Sequence, residues 1–578
     1  MKKLIPILFL LFISFSKAQD VDFTTVFEKS NGVATATYQE TISFFTELAK
    51  QYPSVKIIEE GTTDSGKNLH LVLLNPDENF NLEDIRKNKR ILFINNGIHP
   101  GEPDGIDATM MLYRDIVQGK ISIPKHTVLA TIPIYNIGGS LNRNSTSRTN
   151  QNGPLEYGFR GNAKNYDLNR DFIKNDTKNA QSFANIFHYL QPDVFIDNHV
   201  SNGADYQYIL THLFTQHNKL GGDAGVYLHE QLMPKMIASL KDKNYDITPY
   251  VNVFNEVPEK GFSQFYDAPR YSTGYTTLWN TLGMMVETHM LKDYEKRVYG
   301  TYELMRSMID IIEQDYQTIK KVKEATNNSF LNAKTYAVTW EVDKNTHSTF
   351  DFKGFEGERI PSEITGLERL KYHRDQPFTK KVSYFDTFKA TKSVNIPDAY
   401  LVPKAWTKIV DLLKLNKVEL TELTDSKNWD VEVYHIADYN TVSTPYEGHY
   451  LHKNTIVTSN NESVFINAED YFLVQTRQYS IRYILETLEP EAIDSFFNWN
   501  FFDTILQQKE GFSPYVWEDK ALDFLNNNPS IKKEFETKKA TDKSFAESWY
   551  AQLDWIHKKS PNYEKAHLRY PVYRVLKK

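Results

Sequence analysis

The sequence contains no cysteine among its 578 residues. This absence excludes disulfide bonds, thiolate zinc sites, iron–sulfur clusters and cysteine nucleophiles, so any metal must be bound by histidine and carboxylate side chains. An excess of positive charge is also missing, because 67 Lys and Arg stand against 74 Asp and Glu, for a net charge of −7. The charge balance therefore gives no electrostatic reason to expect a nucleic acid partner.

Long apolar runs are scarce as well. The run Leu4–Phe15 is shorter than the roughly 20 residues that a membrane-spanning helix needs, and it follows Lys2 and precedes Ser16 and Ala18, small residues at the −3 and −1 positions of a cleavage site. We expect residues 1–18 to be a signal peptide and the protein to be periplasmic or secreted, with no stable membrane span after cleavage. The alternatives are an uncleaved anchor or a buried helix.

Strands and helices alternate along the first half of the chain. The patterns predict a hairpin over 56–75, strands over 90–95, 128–135, 193–197 and 283–287, and helices over 38–52, 104–118, 177–190, 225–240 and 294–324. This alternation predicts an α/β domain over residues 19–328 in which helices flank a largely parallel or mixed sheet. Residues 329–578 predict an additional α+β C-terminal region, to which no role is assigned.

The clearest chemical signal is the pair His99 and Glu102, which follows the predicted strand 90–95. A histidine and a glutamate with two residues between them can bind one metal ion from a single turn. The pair alone is weak, because 16 histidines would give about one such spacing by chance, and a surface loop is the alternative. His199 follows the apolar strand residues 194–196 and suits a third ligand, although a loop histidine without metal is the more common case.

Two further motifs lie after the first pair. Asp167, Asn169 and Arg170 occur in one short polar segment that begins near Arg160, for which a solvated loop is the alternative. Glu287 ends the apolar run 284–286, where an acidic residue is unfavourable unless it is paired or functional.

These motifs, in this order, resemble the M14 family of zinc carboxypeptidases. The resemblance covers about residues 35–325 and includes the Gly61–Lys67 turn of the predicted hairpin. It implies a zinc-carboxypeptidase-like mixed sheet, a hydrolase that acts on peptide bonds, and one Zn²⁺ per chain. By position it implies that zinc is bound by three residues, with the fourth position left for water: His99, Glu102 and His199.

The resemblance also implies roles for the other motif residues. Glu287 matches the general base, and Arg160 matches the arginine that stabilises the oxyanion. Asn169 and Arg170 match the pair that holds the C-terminal carboxylate of the substrate. Asp167 matches the carboxylate that orients the first zinc histidine.

Three departures from the family pattern concern the substrate side. Family members often have an arginine between the first histidine and the glutamate, but here that interval is Pro100-Gly101, and Tyr135–Gly139 replaces the usual Asn-Pro-Asp-Gly. No motif fixes the substrate tyrosine; the candidates are Tyr266, Tyr271 and Tyr275, of which we expect Tyr275.

Arg270 lies at about the distance before Glu287 where the family places specificity residues. We expect it to favour an acidic group on the substrate. The alternative is a salt bridge with Asp267 or Glu256.

The sequence thus predicts an exported zinc metallocarboxypeptidase whose partner is a peptide with a free C-terminus. One alternative is a zinc deacylase or amidase of the succinylglutamate desuccinylase and aspartoacylase type, or a peptidoglycan-peptide amidase. A second alternative is a non-catalytic binding protein on the same scaffold. The sequence leaves the oligomeric state open.

Overall fold

The computed structural model describes residues 21–576, so the predicted signal peptide lies outside the described residues. Within that range, no helix combines the length and the apolar character needed to cross a bilayer.

The first region, up to residue 332, contains nine strands and eleven helices within the described residues. The strands are β1 (Val55–Thr62), β2 (Asn68–Leu74), β3 (Arg90–Asn95), β4 (Thr127–Ile132), β5 (Val194–Ser201), β6 (Leu210–Phe214), β7 (Ile247–Pro249), β8 (Phe262–Ser263) and β9 (Leu282–His289). The helices are α1 (Val26–Lys29), α2 (Tyr38–Gln51), α3 (Leu82–Asn88), α4 (Asp104–Val117), α5 (Ile137–Leu141), α6 (Lys178–Leu190), α7 (His217–Leu220), α8 (Gly222–Tyr227), α9 (Met233–Asp242), α10 (Ser272–Thr276) and α11 (Tyr294–Asn332).

Eight of these strands form one mixed sheet in the order β1-β2-β4-β3-β5-β9-β6-β7. The four central strands β4, β3, β5 and β9 are parallel to one another. Every residue of β3, β4 and β5 is buried, as expected for strands that are covered by helices on both faces. The predicted α/β class with a mixed sheet flanked by helices is therefore confirmed, and the carboxyl ends of β3, β5 and β9 meet at one edge.

Local sequence signals place the helices around this sheet. Thr37 and Glu40 form a reciprocal capping box at the start of α2, and the Thr177 side chain accepts the Ala180 N–H at the start of α6. Two strands run further than predicted, because β5 continues to Ser201 and β9 to His289. Helix α11 has 39 residues and passes residue 328, so the predicted domain boundary falls inside a helix.

The C-terminal region consists mainly of strands up to residue 475 and mainly of helices from residue 481, which is an α+β arrangement. Its strands are β10 (Thr335–Val342), β11 (Ser348–Pro361), β12 (Glu368–Phe385), β13 (Phe388–Asn395), β14 (Ala399–Pro403), β15 (Thr421–Glu422), β16 (Lys427–Thr441), β17 (His452–Ile466), β18 (Tyr471–Gln475) and β19 (Tyr573–Val575). Its helices are α12 (Thr407–Leu415), α13 (Ile481–Leu488), α14 (Pro514–Asn527), α15 (Pro529–Thr541), α16 (Lys543–Ala546) and α17 (Trp549–Lys559). Six of the strands form a sheet in the order β15-β18-β14-β19-β16-β17.

The two regions are packed together. Strand β8 of the first region pairs in parallel with β12 of the C-terminal region. The rings of Trp279 and Tyr483 stack with centroids 5.6 Å apart inside a shared apolar core. The buried Arg482 guanidinium donates hydrogen bonds to the carbonyl oxygens of Lys219 and Thr277. The C-terminal region is thus packed directly against the interior of the first region.

Candidate active site

Three buried side chains converge at the carboxyl edge of the central sheet. His99, Glu102 and His199 offer ligand atoms that all lie within 4.8 Å of one another, and they form the one such group of three found among residues 21–576. The Nδ1 atoms of His99 and His199 lie 3.3 Å and 3.1 Å from the two oxygens of Glu102. Both histidines therefore present the same ring nitrogen to one point.

The chain reaches this arrangement through a tight turn after β3. Gly97 has φ +64°, which favours glycine, and it lets the chain reverse directly after the strand. The backbone N–H of Glu102 donates to the His99 carbonyl oxygen at 2.8 Å, which brings the two side chains together before α4 begins. His199 lies within β5, the neighbour of β3, so the sheet itself sets its distance from the turn.

Two carboxylates hold the histidines in this orientation. Nε2 of His99 lies 2.9 Å from Asp167, and Nε2 of His199 lies 2.9 Å from Asp197. Each of these contacts fixes the ring and leaves Nδ1 free to face the common point. Burial opposes ionisation of Asp167, but the His99 ring and Arg160 outweigh it and hold the pKa of this carboxyl well below its usual range.

The donor set fits a zinc ion. Two imidazole nitrogens and one carboxylate match the ligands of catalytic zinc sites, and the carboxylates behind the histidines are the usual second layer of such sites. The surrounding carboxylates favour positive charge at this point: against the opposing effect of burial, Asp197 and Glu102 raise the pKa of His199 well above its usual value, and a bound cation would replace that proton. The predicted ligands are thus brought together as the sequence suggested.

Glu287 lies beside these ligands on β9. It is the register partner of His199, and its carboxyl faces the same cavity. Enclosure by protein raises the pKa of Glu287 to about 7, against the opposing effect of the His199 ring. A carboxyl with such a pKa can accept and release a proton near neutral pH.

Two arginines also contact the ligand group. Arg160 donates to Asp167 from Nε at 3.0 Å and from Nη2 at 2.8 Å, while its Nη1 lies 3.4 Å from His99 Nδ1. Arg148, which sequence reasoning missed, donates to Glu102 Oε1 at 2.8 Å. A Cβ at Gly101 would lie 2.9 Å from Arg148 Cδ, so the glycine leaves room for the Arg148 side chain. Nothing in the segment distinguishes Arg148 from its neighbour Arg143.

A cavity of about 340 Å³ extends from the ligand group. Its polar side includes the ligands, Glu287, Arg160, Asn169 and Arg170. Apart from Asn202, the rest of the lining is apolar or aromatic and consists of Val200, Leu213, Tyr250, Phe254, Phe265, Tyr271 and Met285. The cavity thus joins the candidate metal site to the predicted carboxylate-binding pair.

Asn169 and Arg170 are placed by a short turn over Leu168–Arg170. The Asp167 side chain accepts the Asn169 N–H at 2.9 Å and starts this turn, so the residue that contacts His99 also places the predicted carboxylate-binding pair. The Arg170 guanidinium lies 4.5 Å from the centre of the Tyr271 ring. Tyr271 and Tyr250 are the tyrosines that line the cavity.

The expectations for Tyr275 and Arg270 need correction. Tyr275 is fully buried and its hydroxyl donates to Asn416 at 2.6 Å, because α10 turns its ring into the core. Arg270 does not line the cavity either, since its guanidinium contacts Asp494 of the C-terminal region at 2.7 Å and 2.8 Å. The salt-bridge alternative is supported, but the partner is neither Asp267 nor Glu256. A partner 224 residues away has no local sequence signal.

The comparisons with known proteins agree with this geometry. A family model described as zinc carboxypeptidase, of the peptidase M14 type, matches residues 41–207, a range that holds all three candidate ligands. The chain carries an M14 zinc carboxypeptidase domain. This zinc carboxypeptidase domain makes the protein a peptide hydrolase. The match ends before Glu287, so the role of that residue rests on its position in the cavity.

Relatives of the whole chain are more distant. Carboxypeptidase 2 of Trichophyton rubrum is 21% identical over 492 residues, covering 81% of this chain and 84% of that protein. Carboxypeptidase 2 of Trichophyton equinum is 20% identical, and the match covers 81% of this chain and 84% of that protein. Among solved structures, carboxypeptidase A from Helicoverpa armigera is 15% identical with a TM-score of 0.37, covering 49% of this chain and 74% of that one. A metallo-carboxypeptidase from Burkholderia cenocepacia has a TM-score of 0.36 at 15% identity, and the match covers 49% of this chain and 70% of that one.

Proposed function

We propose that this zinc carboxypeptidase domain removes residues from the free C-termini of peptides, with one Zn²⁺ per chain held by His99, Glu102 and His199. The observation that carries the proposal is the shared cavity, in which Asn169 and Arg170 line the same space as the ligand group. A guanidinium and an amide suit recognition of a terminal carboxylate. The apolar wall suits the side chain of the residue to be released.

The residues of the cavity divide the work of hydrolysis. A zinc ion bound by the three ligands would lower the pKa of a water molecule and polarise the scissile carbonyl. Glu287 accepts the proton of the attacking water and gives it to the leaving amine as the C–N bond breaks. Arg160 donates hydrogen bonds to the oxygen on which negative charge develops. Asp167 and Asp197 keep the two histidines in their orientation.

A substrate panel tests this function. We expect purified, zinc-loaded protein to cleave a peptide with a free C-terminus and to lose this activity when the same peptide carries a C-terminal amide. An N-acylated amino acid and a peptidoglycan stem peptide form the other arms of the panel. Undiminished cleavage of the amidated peptide, or hydrolysis confined to the N-acylated compound, would contradict the proposal.

Export is part of the proposal and rests on the basic start, the apolar run and the small residues that end at Ala18. N-terminal sequencing of the protein from its native host is expected to begin at Gln19. Recovery of the protein from the cytoplasm with Met1 intact would contradict it.

A further inference from the structure

The apolar side of the cavity is formed largely by one irregular segment, residues 250–271, which we call the substrate wall. It supplies Tyr250, Phe254, Phe265 and Tyr271 to the cavity. Its regular structure consists of a three-residue 3₁₀ turn and the two-residue strand β8. A segment with so few backbone hydrogen bonds of its own takes its conformation from what packs against it.

The hairpin of β11 and β12 holds the first half of the substrate wall. Arg359 donates to the carbonyl oxygen of Asn255 at 2.5 Å. The hydroxyl of Tyr372 donates to the backbone carbonyl oxygen of Glu256 at 2.6 Å. Strand β8 pairs with the end of β12, and the N–H of Gln264 continues this pairing to the Phe385 carbonyl oxygen at 2.9 Å. All of these partners belong to the C-terminal region.

Asp494 holds the second half. Its buried carboxylate accepts the backbone N–H of Arg270 at 2.9 Å and two guanidinium N–H groups at 2.7 Å and 2.8 Å. The indole N–H of Trp499 donates to the same carboxylate at 3.2 Å, and the Trp499 ring lies 5.1 Å from the guanidinium. A buried ion pair of this kind fixes position, and removal of one partner is strongly unfavourable.

These contacts reach the groups proposed to bind the substrate carboxylate. Tyr271 directly follows Arg270, and its ring lies against the Arg170 guanidinium. From the C-terminal region, the Glu447 carboxylate accepts the N–H of Asp167 at 2.9 Å, where the turn that carries Arg170 begins. The C-terminal region therefore supports Arg170 in two ways, through Tyr271 and through the turn that begins at Asp167.

We propose that the C-terminal region is the scaffold of the substrate wall and that Asp494 is a positioning residue, which acts through Arg270 on Tyr271 and Arg170. This assigns a role to the half of the chain that the hydrolytic groups leave unexplained. The kinetic test of this proposal rests on the proposed function, whereas the hydrogen-exchange test described below does not.

The kinetic test uses Asp494→Asn in the full-length, zinc-loaded protein. We expect KM for a peptide with a free C-terminus to rise about 10-fold or more, while kcat changes less than about 3-fold, because the hydrolytic groups stay in place. Zinc content should equal that of the wild type. Lys353→Gln is the matched control: it removes an ion pair with Asp246 that also joins the two regions, yet neither residue lies in the substrate wall. It should leave KM unchanged.

A double-mutant cycle separates positioning from general destabilisation. Arg270→Gln should reproduce the KM effect of Asp494→Asn, and the double variant should be no worse than the worse single variant by more than about 3-fold. Independent, multiplying effects on KM would overturn the proposal. An unchanged KM in a variant that keeps its zinc would also overturn it.

Hydrogen exchange supplies a readout without catalysis. In Asp494→Asn, amides of residues 264–272 should exchange faster than in the wild type, while those of β3 should not change. Equal exchange in the wall, or a uniform increase throughout the chain, contradicts a positioning role. If the wild type fails to hydrolyse any peptide, the proposed function fails, and this exchange experiment still decides the scaffold proposal.

Discussion

The two ends of the cavity are built in different ways. At the metal end, the ligands and Glu287 lie on or directly after β3, β5 and β9, and carboxylates of the same region support the histidines. At the substrate end, the wall is an irregular segment whose supports come from beyond residue 332. On the proposed function, the groups for hydrolysis are thus placed by the sheet, whereas the wall that would receive the substrate is placed by contacts with the C-terminal region.

The largest fall in kcat is expected for a change at the metal end of the cavity that leaves the zinc ion bound. Glu287→Gln removes the proton acceptor but keeps the size of the side chain, so kcat should fall by about 10²–10⁴-fold with zinc retained. Steady-state kinetics with metal analysis checks this. Glu341→Gln, a change on the exposed edge of β10, serves as the control. Near-normal turnover of Glu287→Gln would mean that another group takes the proton.

A somewhat smaller effect is expected when the oxyanion donor is removed. Arg160→Gln should lower kcat by about 10²–10³-fold, because the developing charge then lacks its hydrogen-bond donor. Arg148→Gln is the matched comparison, since Arg148 contacts the candidate ligand Glu102 and is expected to act on that ligand and not on the substrate. If Arg148→Gln proves the more damaging change for kcat, the two roles must be exchanged.

The support behind a ligand should matter less than the catalytic groups. Asp197→Asn weakens the hold on His199 Nε2 and should lower zinc affinity by about 10–100-fold. Competition with a chelator measures this directly. Ser272→Ala removes a hydroxyl that donates to the same carboxylate but keeps the charge, and it should have a smaller effect. Equal affinity in wild type and Asp197→Asn would contradict the role.

The smallest effect is expected on stability, and it concerns an aspartate of the substrate wall. Burial raises the pKa of Asp267 to about 6, and Lys219 offsets this only in part. An aspartate in the unfolded chain has a pKa of about 3.9, so the folded protein binds this proton more tightly. The contribution of Asp267 to the free energy of unfolding is therefore fully present below about pH 4 and is lost as pH rises through about 6.

Asp267→Asn tests this sign, because asparagine cannot ionise. Between about pH 4 and about pH 6, the free energy of unfolding of the wild type should fall by about 1–3 kcal/mol relative to that of the variant, as measured by chemical denaturation at each pH. The exposed Asp425→Asn is the control and should follow the wild type. A decrease of equal size in Asp267→Asn and wild type would contradict the prediction.

The metal end could be predicted from the sequence because its information is local. His99 and Glu102 occur four and seven positions past the end of a recognisable apolar strand, and His199 and Glu287 lie on two more strands. Parallel strands bring their carboxyl ends to one edge, so the order of the motifs along the chain is enough to place them together.

The substrate end could not be predicted in the same way. Tyr266, Tyr271 and Tyr275 share one segment and similar surroundings in sequence, yet α10 turns Tyr275 into the core while Tyr271 faces the cavity. Which tyrosine points where is decided by Asp494, Asn416 and the pairing of β8 with β12. Those contacts are tertiary, and no spacing within the segment encodes them.

The order of these parts along the chain has a consequence in time. Asp494 follows Arg270 by 224 residues. At roughly 5–20 residues per second, synthesis needs about 10–45 s to pass from one to the other. A growing chain thus completes its metal ligands and its proton acceptor well before it acquires the support of the substrate wall. If the wall is supported as proposed, full affinity for substrate must wait until synthesis has passed Asp494.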